Sequence, residues 1–308
     1  MALLLTPVFG SAEVWRRAFA AAMPDLEVRV WPEVGDPADI EAAAIVKLPP
    51  GTLRTFPNLR LILSLTAGTD SLLRDADLPD VPIVRAGDPA GDAMMNETAL
   101  LHVLRHHRNM PEYLRAQARR EWKRLPVKRA SERSVGVMGL GTIGLACAEA
   151  IASIGFKVAG WVREPRDAGD IEIFAGRDRL AAFLARSEIL LNLLPLTVET
   201  RDIINAEALA QLPVAAAVIN LGRGEHVVES DLIAALDCGH LAAATLDVYP
   251  VEPLPSDSPL WAHPKITVMP HVARRLEPTD LAPRICAILR DFRAGKPIGQ
   301  RVDRARGY

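Results

Sequence analysis

The stretch VMPHVARRLEP, Val268 to Pro278, places a proline and then a histidine, His271, directly after a strand-like run from Ile266 to Met269. Two other strand-like runs end in polar groups of the same kind. INLGRGEHVVESDL carries Arg223, and LDVYPVEPLP carries Asp247 and Glu252. An imidazole can move a proton near neutral pH, and a guanidinium can hold a carboxylate through paired hydrogen bonds. In an open parallel sheet ligands bind beyond the carboxyl ends of the strands, so these side chains converge on one edge. A lone histidine is usually a structural core residue. One at a strand end, with an arginine and a glutamate after two other strands, is read instead as part of a site.

The same edge carries a glycine turn. VGVMGLGTIG sets Gly139, Gly141 and Gly144 in G-x-G-x-x-G spacing, with Thr142 and Ile143 where the helical run Ile143 to Ile154 begins. The triplet alone is weak. Here a strand precedes it, a helix follows, and a second strand comes next, which is the context a dinucleotide turn requires. The first glycine allows the tight turn, the second lets a pyrophosphate approach the backbone, and the third lets helix and strand pack closely. The second strand ends GWVREPR, with no acid at its tip to hold a ribose 2′-hydroxyl. Arg163 and Arg166 stand where a 2′-phosphate would sit. NADP(H) is therefore the expected cofactor, with NAD(H) left possible. The bland alternative is a pair of solvated loop arginines, partly offset by Glu164.

These groups need an α/β scaffold, and the chain supplies one. LLLTP, EVRVW, AAIVK, LRLILSL and PIVRA read as strands between Leu3 and Ala86, with helical patterns such as Ala12 to Ala22 between them. Asn96 to Arg120 reads as helical, and the charged stretch Arg120 to Arg133 as a surface connection. A second series follows, with strands at Val135–Met138, Lys157–Val162, Ile189–Leu193, Ala216–Asn220, Ala243–Asp247 and Ile266–Met269. From about Thr279 the chain reads as a helix able to fold back onto the first series. Short apolar runs alternating with amphipathic ones are the pattern of parallel sheets with crossover helices.

Composition sets the outer limits. The 308 residues are 49% hydrophobic and 24% charged with a net charge of −2, the balance of a globular protein with a substantial core. Neither nucleic acid nor a membrane surface is implied as a partner. Cys147, Cys238 and Cys286 lie far apart and form neither metal spacing nor a disulfide framework, so a reducing compartment and a cytoplasmic setting are expected. MALLLTPVFG is read as a first strand rather than a signal peptide. His102 and His106 lie one helical turn apart, but without an acidic or third ligand they read as a surface helix face, and no metal is expected. The basic run from Arg115 to Arg133, with Glu121 and Glu132 mixed in, reads as a solvated face or a subunit contact.

Taken in order, SLTAGTDSLL, VGVMGLGTIG, LLPLTVETRDIIN, INLGRGEHVVESDLIAAL, LDVYPVEPLP, SPLWAHPKITVMPHVA and the tail DRARGY span nearly the whole chain. Together they resemble the D-isomer-specific 2-hydroxyacid dehydrogenases, and within them the glyoxylate/hydroxypyruvate reductases of the A type. The resemblance implies two doubly wound α/β domains, a Rossmann dinucleotide-binding domain (99–276) inserted into a flavodoxin-like substrate domain (1–98 plus 277–308). It implies NADP(H)-dependent reduction of small 2-keto acids, with His271 giving a proton to the carbonyl and Glu252 pairing with it to keep the proton at neutral pH. Arg223 would bind the keto acid, and Ala67 and Gly68 would offer backbone amides to its carboxylate from the other domain, in a cleft that closure could dry out. Asp247 would hold the carboxamide end of the nicotinamide. Thr197 would touch the cofactor, with Leu194 and Pro195 before it and Leu221 and Gly222 ahead of Arg223. A homodimer through the nucleotide domains is also implied.

The chain departs from the resembled pattern at three places. Arg274 and Arg275 follow His271 where small or apolar residues are usual, with Glu277 where a cation is expected. Lys47 replaces a tryptophan, and Thr66 and Thr69 replace smaller or apolar residues. Arg274 and Lys47 could select a keto acid with a second acidic group, or could face solvent. A cation beside His271 would also lower its pKa, against Glu252. Two other functions stay open on sequence. One is an NAD-linked oxidant of a D-2-hydroxy acid, and the other a dinucleotide-sensing corepressor, which would need a peptide-docking groove and usually long disordered extensions; no such extension is read in this sequence.

Overall fold

The computed structural model describes residues 2–6, 11–66, 68–87, 93–274 and 277–307. They fall into two compact units, 1–89 with 275–308, and 90–274.

In the first unit β1 (Ala2–Leu5), β2 (Glu27–Val30), β3 (Ile40–Ile45), β4 (Leu61–Ser64) and β5 (Ile83–Arg85) form one parallel sheet in the order β2-β1-β3-β4-β5. That is the flavodoxin-like order of a doubly wound sheet. β1 and β4 are buried at every residue, as expected of strands covered on both faces. Helix α1 (Ala12–Ala22) begins at Ser11, whose hydroxyl caps the Val14 amide, and turns Trp15 and Phe19 into the core. Helix α2 (Asp70–Leu73) is a single short turn after β4.

The second unit opens with α3 (Ala93–His107) and α4 (Met110–Ala118), broken at Asn109, which takes a left-handed φ of 56°. Its sheet then runs through β6 (Ser134–Met138), α5 (Thr142–Ser153), β7 (Lys157–Val162), β8 (Glu172–Ala175), α6 (Leu180–Leu184), β9 (Ile189–Asn192), α7 (Ala206–Gln211), β10 (Ala216–Asn220), α8 (Glu229–Asp237), β11 (Leu241–Leu246) and β12 (Ile266–Val268). All pairings are parallel, in the order β12-β11-β10-β9-β6-β7-β8. This is the Rossmann order with one added edge strand, and its direction of winding reverses between β6 and β9. Strand β8 was not anticipated; four residues at a sheet edge, half-covered, give little periodic signal.

After the second unit the chain returns to the first through α9 (Pro278–Arg293), which packs on α1 and adds Leu281, Ile285, Cys286 and Leu289 to the core around Trp15 and Phe19. The two units change over before α3, not within it. A boundary at 98/99 would cut this helix, whose Met95, Ala99 and Val103 share a core with Cys147 and Ile151 of α5.

The pair His102 and His106 corrects one expectation. Both are buried, at 3% and 8% exposure, rather than on a surface face. His106 Nε2 lies 2.9 Å from the Thr245 hydroxyl of β11, because α3 lies against the sheet as well as against α5. Burial pushes their pKa values down to about 4 and about 3, so both are neutral at pH 7. Among the described residues no group of three or more His, Cys, Asp or Glu side chains could hold a metal.

Candidate active site

The second unit brings most of the sequence-predicted groups to the carboxyl edge of its sheet. The glycine turn leaves β6 at Gly139, whose φ of +89° favours glycine. A Cβ there would also press to 2.9 Å on the Leu193 carbonyl. A Cβ on Gly144 would sit 1.8 Å from the Gly139 carbonyl, so this glycine lets α5 pack against the turn. Gly141 differs: a Cβ there would meet nothing within 4 Å. The protein's own packing does not require glycine at 141, whereas a ligand phosphate brought against the backbone would. Thr142 and Ile143 form the first turn of α5, where unpaired amides favour an anion.

Arg163 and Arg166 follow β7 and are both exposed. Arg166 Nη1 donates to the Leu140 carbonyl inside the glycine turn, which ties that arginine to the turn. Arg163 Nε lies 3.7 Å from Glu164. Leu194, Pro195 and Thr197 follow β9, the strand beside β6, and Thr200 braces them by donating to the Pro195 carbonyl at 2.7 Å and accepting the Thr197 amide at 2.8 Å.

Asp247 is 1% exposed. Its two carboxylate oxygens accept the amides of Val272 and Ala273 at 2.8 and 2.9 Å. Burial raises its pKa, and the two amide bonds oppose that rise. The residue just before these amides is His271, with a left-handed φ of 54°. Asp247 thus fixes the loop that aims the imidazole. Thr98 adds to the hold by donating its hydroxyl to the Ala273 carbonyl at 3.0 Å.

His271 Nδ1 lies 2.7 Å from Glu252 Oε2. Because the carboxylate only accepts, Nδ1 carries the proton of this bond and Nε2 is the ring atom left to meet a ligand. The other oxygen, Oε1, accepts the Tyr249 amide at 2.9 Å. Tyr249 is itself buried; its hydroxyl donates to the Leu246 carbonyl at 2.7 Å and accepts the Met269 amide at 3.2 Å. The bond to Glu252 raises the His271 pKa above 6.5, against burial and against Arg223. For Glu252, burial pushes the carboxyl up, but the bonds from His271 and Tyr249 and the nearby charges of His271 and Arg223 outweigh it and hold the carboxyl low. The cation opposing Glu252 at the imidazole is thus Arg223, and the net shift of His271 is upward. Arg223 Nη1 donates to the Gly222 carbonyl at 2.8 Å, and the side chain is half-buried.

Lys47 and Gly68 belong to the first unit. Lys47 is exposed and follows β3 of the first unit. Gly68 is half-buried, and its carbonyl accepts the Thr66 hydroxyl at 2.7 Å. Ala67 and Arg275 lie outside the described residues. Arg274 is half-buried, with its Nε shielded from solvent.

Three buried polar residues of this edge were not anticipated: Asn192, Asn220 and His226, each at 0% exposure. The two asparagines end the adjacent strands β9 and β10 and stand in register. A polar residue closing each of two apolar runs, LLNLLP and VINLGR, was the available signal.

The model of the D-isomer specific 2-hydroxyacid dehydrogenase family, NAD binding domain, matches residues 100–273. The chain is 39% identical over 310 residues to the glyoxylate/hydroxypyruvate reductase A of Salmonella heidelberg, with 98% of each covered. A D-isomer specific 2-hydroxyacid dehydrogenase from Xanthobacter autotrophicus, solved with NADPH and MES, shares the fold at a TM-score of 0.95 and 44% identity, over 100% of this chain and 99% of that one. An NADPH-dependent glyoxylate/hydroxypyruvate reductase from Sinorhizobium meliloti, solved with NADP and sulfate, does so at 0.93 and 34%, over 100% of each chain.

The raised affinity of His271 for its proton adds stability that is full below pH 6.5 and is lost as pH rises through the raised pKa. The expected outcome is that the ring, followed by NMR, titrates above 6.5 and that Glu252→Gln brings its midpoint down. An unchanged midpoint in the variant would mean that Glu252 does not hold the proton.

Proposed function

The chain belongs to the D-isomer specific 2-hydroxyacid dehydrogenase family, and from that premise we propose that it is an NADPH-dependent reductase of the small 2-keto acids glyoxylate and hydroxypyruvate. The observation that carries the reading is the 2.7 Å pair of His271 and Glu252, with Arg223 close enough to act on both charges, on the same sheet edge as the glycine turn. The relatives from Salmonella and Sinorhizobium are glyoxylate/hydroxypyruvate reductases and support the substrate class, and the NADPH and NADP of the solved relatives support the cofactor.

The open space at Gly141 and the start of α5 suit a pyrophosphate, and Arg163 and Arg166 suit a 2′-phosphate, so the residues present fit NADPH. When bound, that cofactor supplies the hydride of the reduction. Leu194, Pro195, Thr197, Leu221 and Gly222 line the approach to it. Asp247 keeps further lone pairs for the carboxamide while it holds the His271 loop. Arg223 offers its planar fork to the keto acid's carboxylate and carbonyl oxygens. His271 Nε2 then gives its proton to the carbonyl oxygen as the charge develops there, and Glu252 stabilises the imidazolium until that moment. Arg274, half-buried and partly shielded, is a second cation for a doubly acidic substrate.

No helix among the described residues is long and apolar enough to cross a membrane, and a cytoplasmic setting is proposed. A homodimer is proposed through the nucleotide-binding unit, where Leu101 of α3 is 59% and Trp122, beyond α4, 93% exposed. Light scattering should return twice the chain mass, and a monomer at micromolar concentration would refute this.

The test is NADPH and NADH oxidation with glyoxylate, hydroxypyruvate and dicarboxylic 2-keto acids. NADPH-linked turnover of the two small acids is expected, with kcat about 10²–10⁴-fold lower in His271→Gln. Turnover confined to NADH, or to other acids, would sink the reading. In Arg274→Ala, a loss on dicarboxylic acids well beyond that on glyoxylate is expected; equal small losses would remove Arg274 from substrate selection.

A further inference from the structure

Arg223 carries its guanidinium on a backbone held by buried side chains at both ends. The Asn220 amide donates to the Arg223 carbonyl at 2.9 Å. The Arg223 amide donates to His226 Nδ1 at 3.1 Å. The same Nδ1 lies 2.8 Å from the Asn192 amide nitrogen, which also donates to Asn220 Oδ1 at 2.9 Å. His226 Nε2 faces the Pro195 carbonyl at 3.3 Å. Nδ1 therefore only accepts, and Nε2 carries the proton, so the ring is a neutral imidazole of fixed tautomer.

The network reaches past Arg223 on both sides. Asn192 Oδ1 accepts the Leu194 amide at 3.2 Å, and Asn220 Oδ1 accepts the Gly222 amide at 3.2 Å. Gly222 is pressed between them: a Cβ there would come within 3.0 Å of Asn192 Nδ2 and 3.1 Å of His226 Nδ1. One dry cluster thus sets the loop after β9, which faces the proposed cofactor, and the backbone of the residue proposed to hold the substrate. Buried polar groups with all partners in place admit few other arrangements.

We propose that His226, through Nδ1, is a positioning residue for keto-acid recognition: with Asn192 and Asn220 it holds Arg223 in the orientation that binds the substrate's carboxylate. This rests on the reading of Arg223 as the substrate's partner. His226 touches no reacting atom. It acts by accepting the Arg223 amide.

Two amide substitutions separate the two ring nitrogens. An asparagine side chain can place an acceptor near Nδ1, whereas a glutamine reaches toward Nε2. His226→Phe keeps a ring and removes both. The measurements are KM and kcat for glyoxylate with NADPH, and the Kd of oxalate, a planar mimic that cannot be reduced, titrated calorimetrically into the NADP⁺-loaded protein. Arg223→Gln is measured beside them. His226→Phe and His226→Gln should raise KM and weaken oxalate by about tenfold or more, roughly one hydrogen bond. His226→Asn should stay within a few-fold of the parent. kcat should fall less than KM rises, since His271 and Glu252 are untouched. A merely structural role would lower thermal stability in all three variants without this split. Equal oxalate affinity in His226→Asn and His226→Gln overturns the proposal, and that comparison stands even where the phenylalanine variant does not fold. If Arg223→Gln itself binds oxalate as the parent does, the reading of Arg223 fails and the proposal with it. Loss in Arg223→Gln with no loss in His226→Gln overturns the positioning role alone.

Discussion

Two backbone amides, those of Val272 and Ala273, converge on the buried carboxylate of Asp247, and this clamp decides where His271 stands. A carboxylate 1% exposed is costly unless its oxygens are satisfied, and charge-assisted bonds at 2.8 and 2.9 Å offset that cost. In return the loop is over-determined. A left-handed backbone at a non-glycine residue costs on the order of 1–3 kcal/mol and persists only where the surroundings enforce it. His271 meets that condition with Asp247 on the two following amides and Thr98 on the Ala273 carbonyl. The imidazole then falls within 2.7 Å of Glu252, and the rest of the site's electrostatics follows from that contact.

The pKa of each group is set by a different balance of causes. Asp247 sits in a dry setting that raises its pKa, and its backbone partners oppose that. Glu252 is also partly desolvated, yet two hydrogen bonds and two cations hold it ionised. His271 keeps its proton because Glu252 outweighs both burial and Arg223. Arg223 lies close enough to act on both members of the pair, lowering the pKa of each. His226, only three residues beyond Arg223, is a neutral imidazole because its Nδ1 must accept two donors at once. Two histidines on one sheet edge thus carry their ring protons on different nitrogens, and their partners determine which.

Much of this was legible in the chain because the constraints are local. Gly139 and Gly144 are required within a few residues of one another, by a positive φ and by a carbonyl 1.8 Å from a Cβ, and G-x-G-x-x-G between a strand and a helix records both. His271, Glu252 and Arg223 were legible because each follows a strand, and parallel strands deliver their ends to one edge. What was not legible depends on which strands are neighbours. Asn192 and Asn220 meet only because β9 and β10 pair in a register that sets them side by side. His226 joins them through a short turn whose direction the sequence does not display. The same holds for His102 and His106. Their helical spacing was plain, but that α3 lies against the sheet, turning them inward, is a tertiary fact. Asp247 was read as a cofactor contact, while its binding of the His271 loop depends on two backbone amides that no side-chain pattern reports.

In the proposed reduction the proton that Glu252 holds on His271 is the one delivered to the substrate. The pH profile of kcat/KM for NADPH-linked glyoxylate reduction tests it most directly. A level acid side and a single fall, about tenfold per pH unit, through a midpoint above the ordinary imidazole value of 6.5 are expected. A profile that rises with pH through this range, or one whose fall is centred below 6.5, would contradict it.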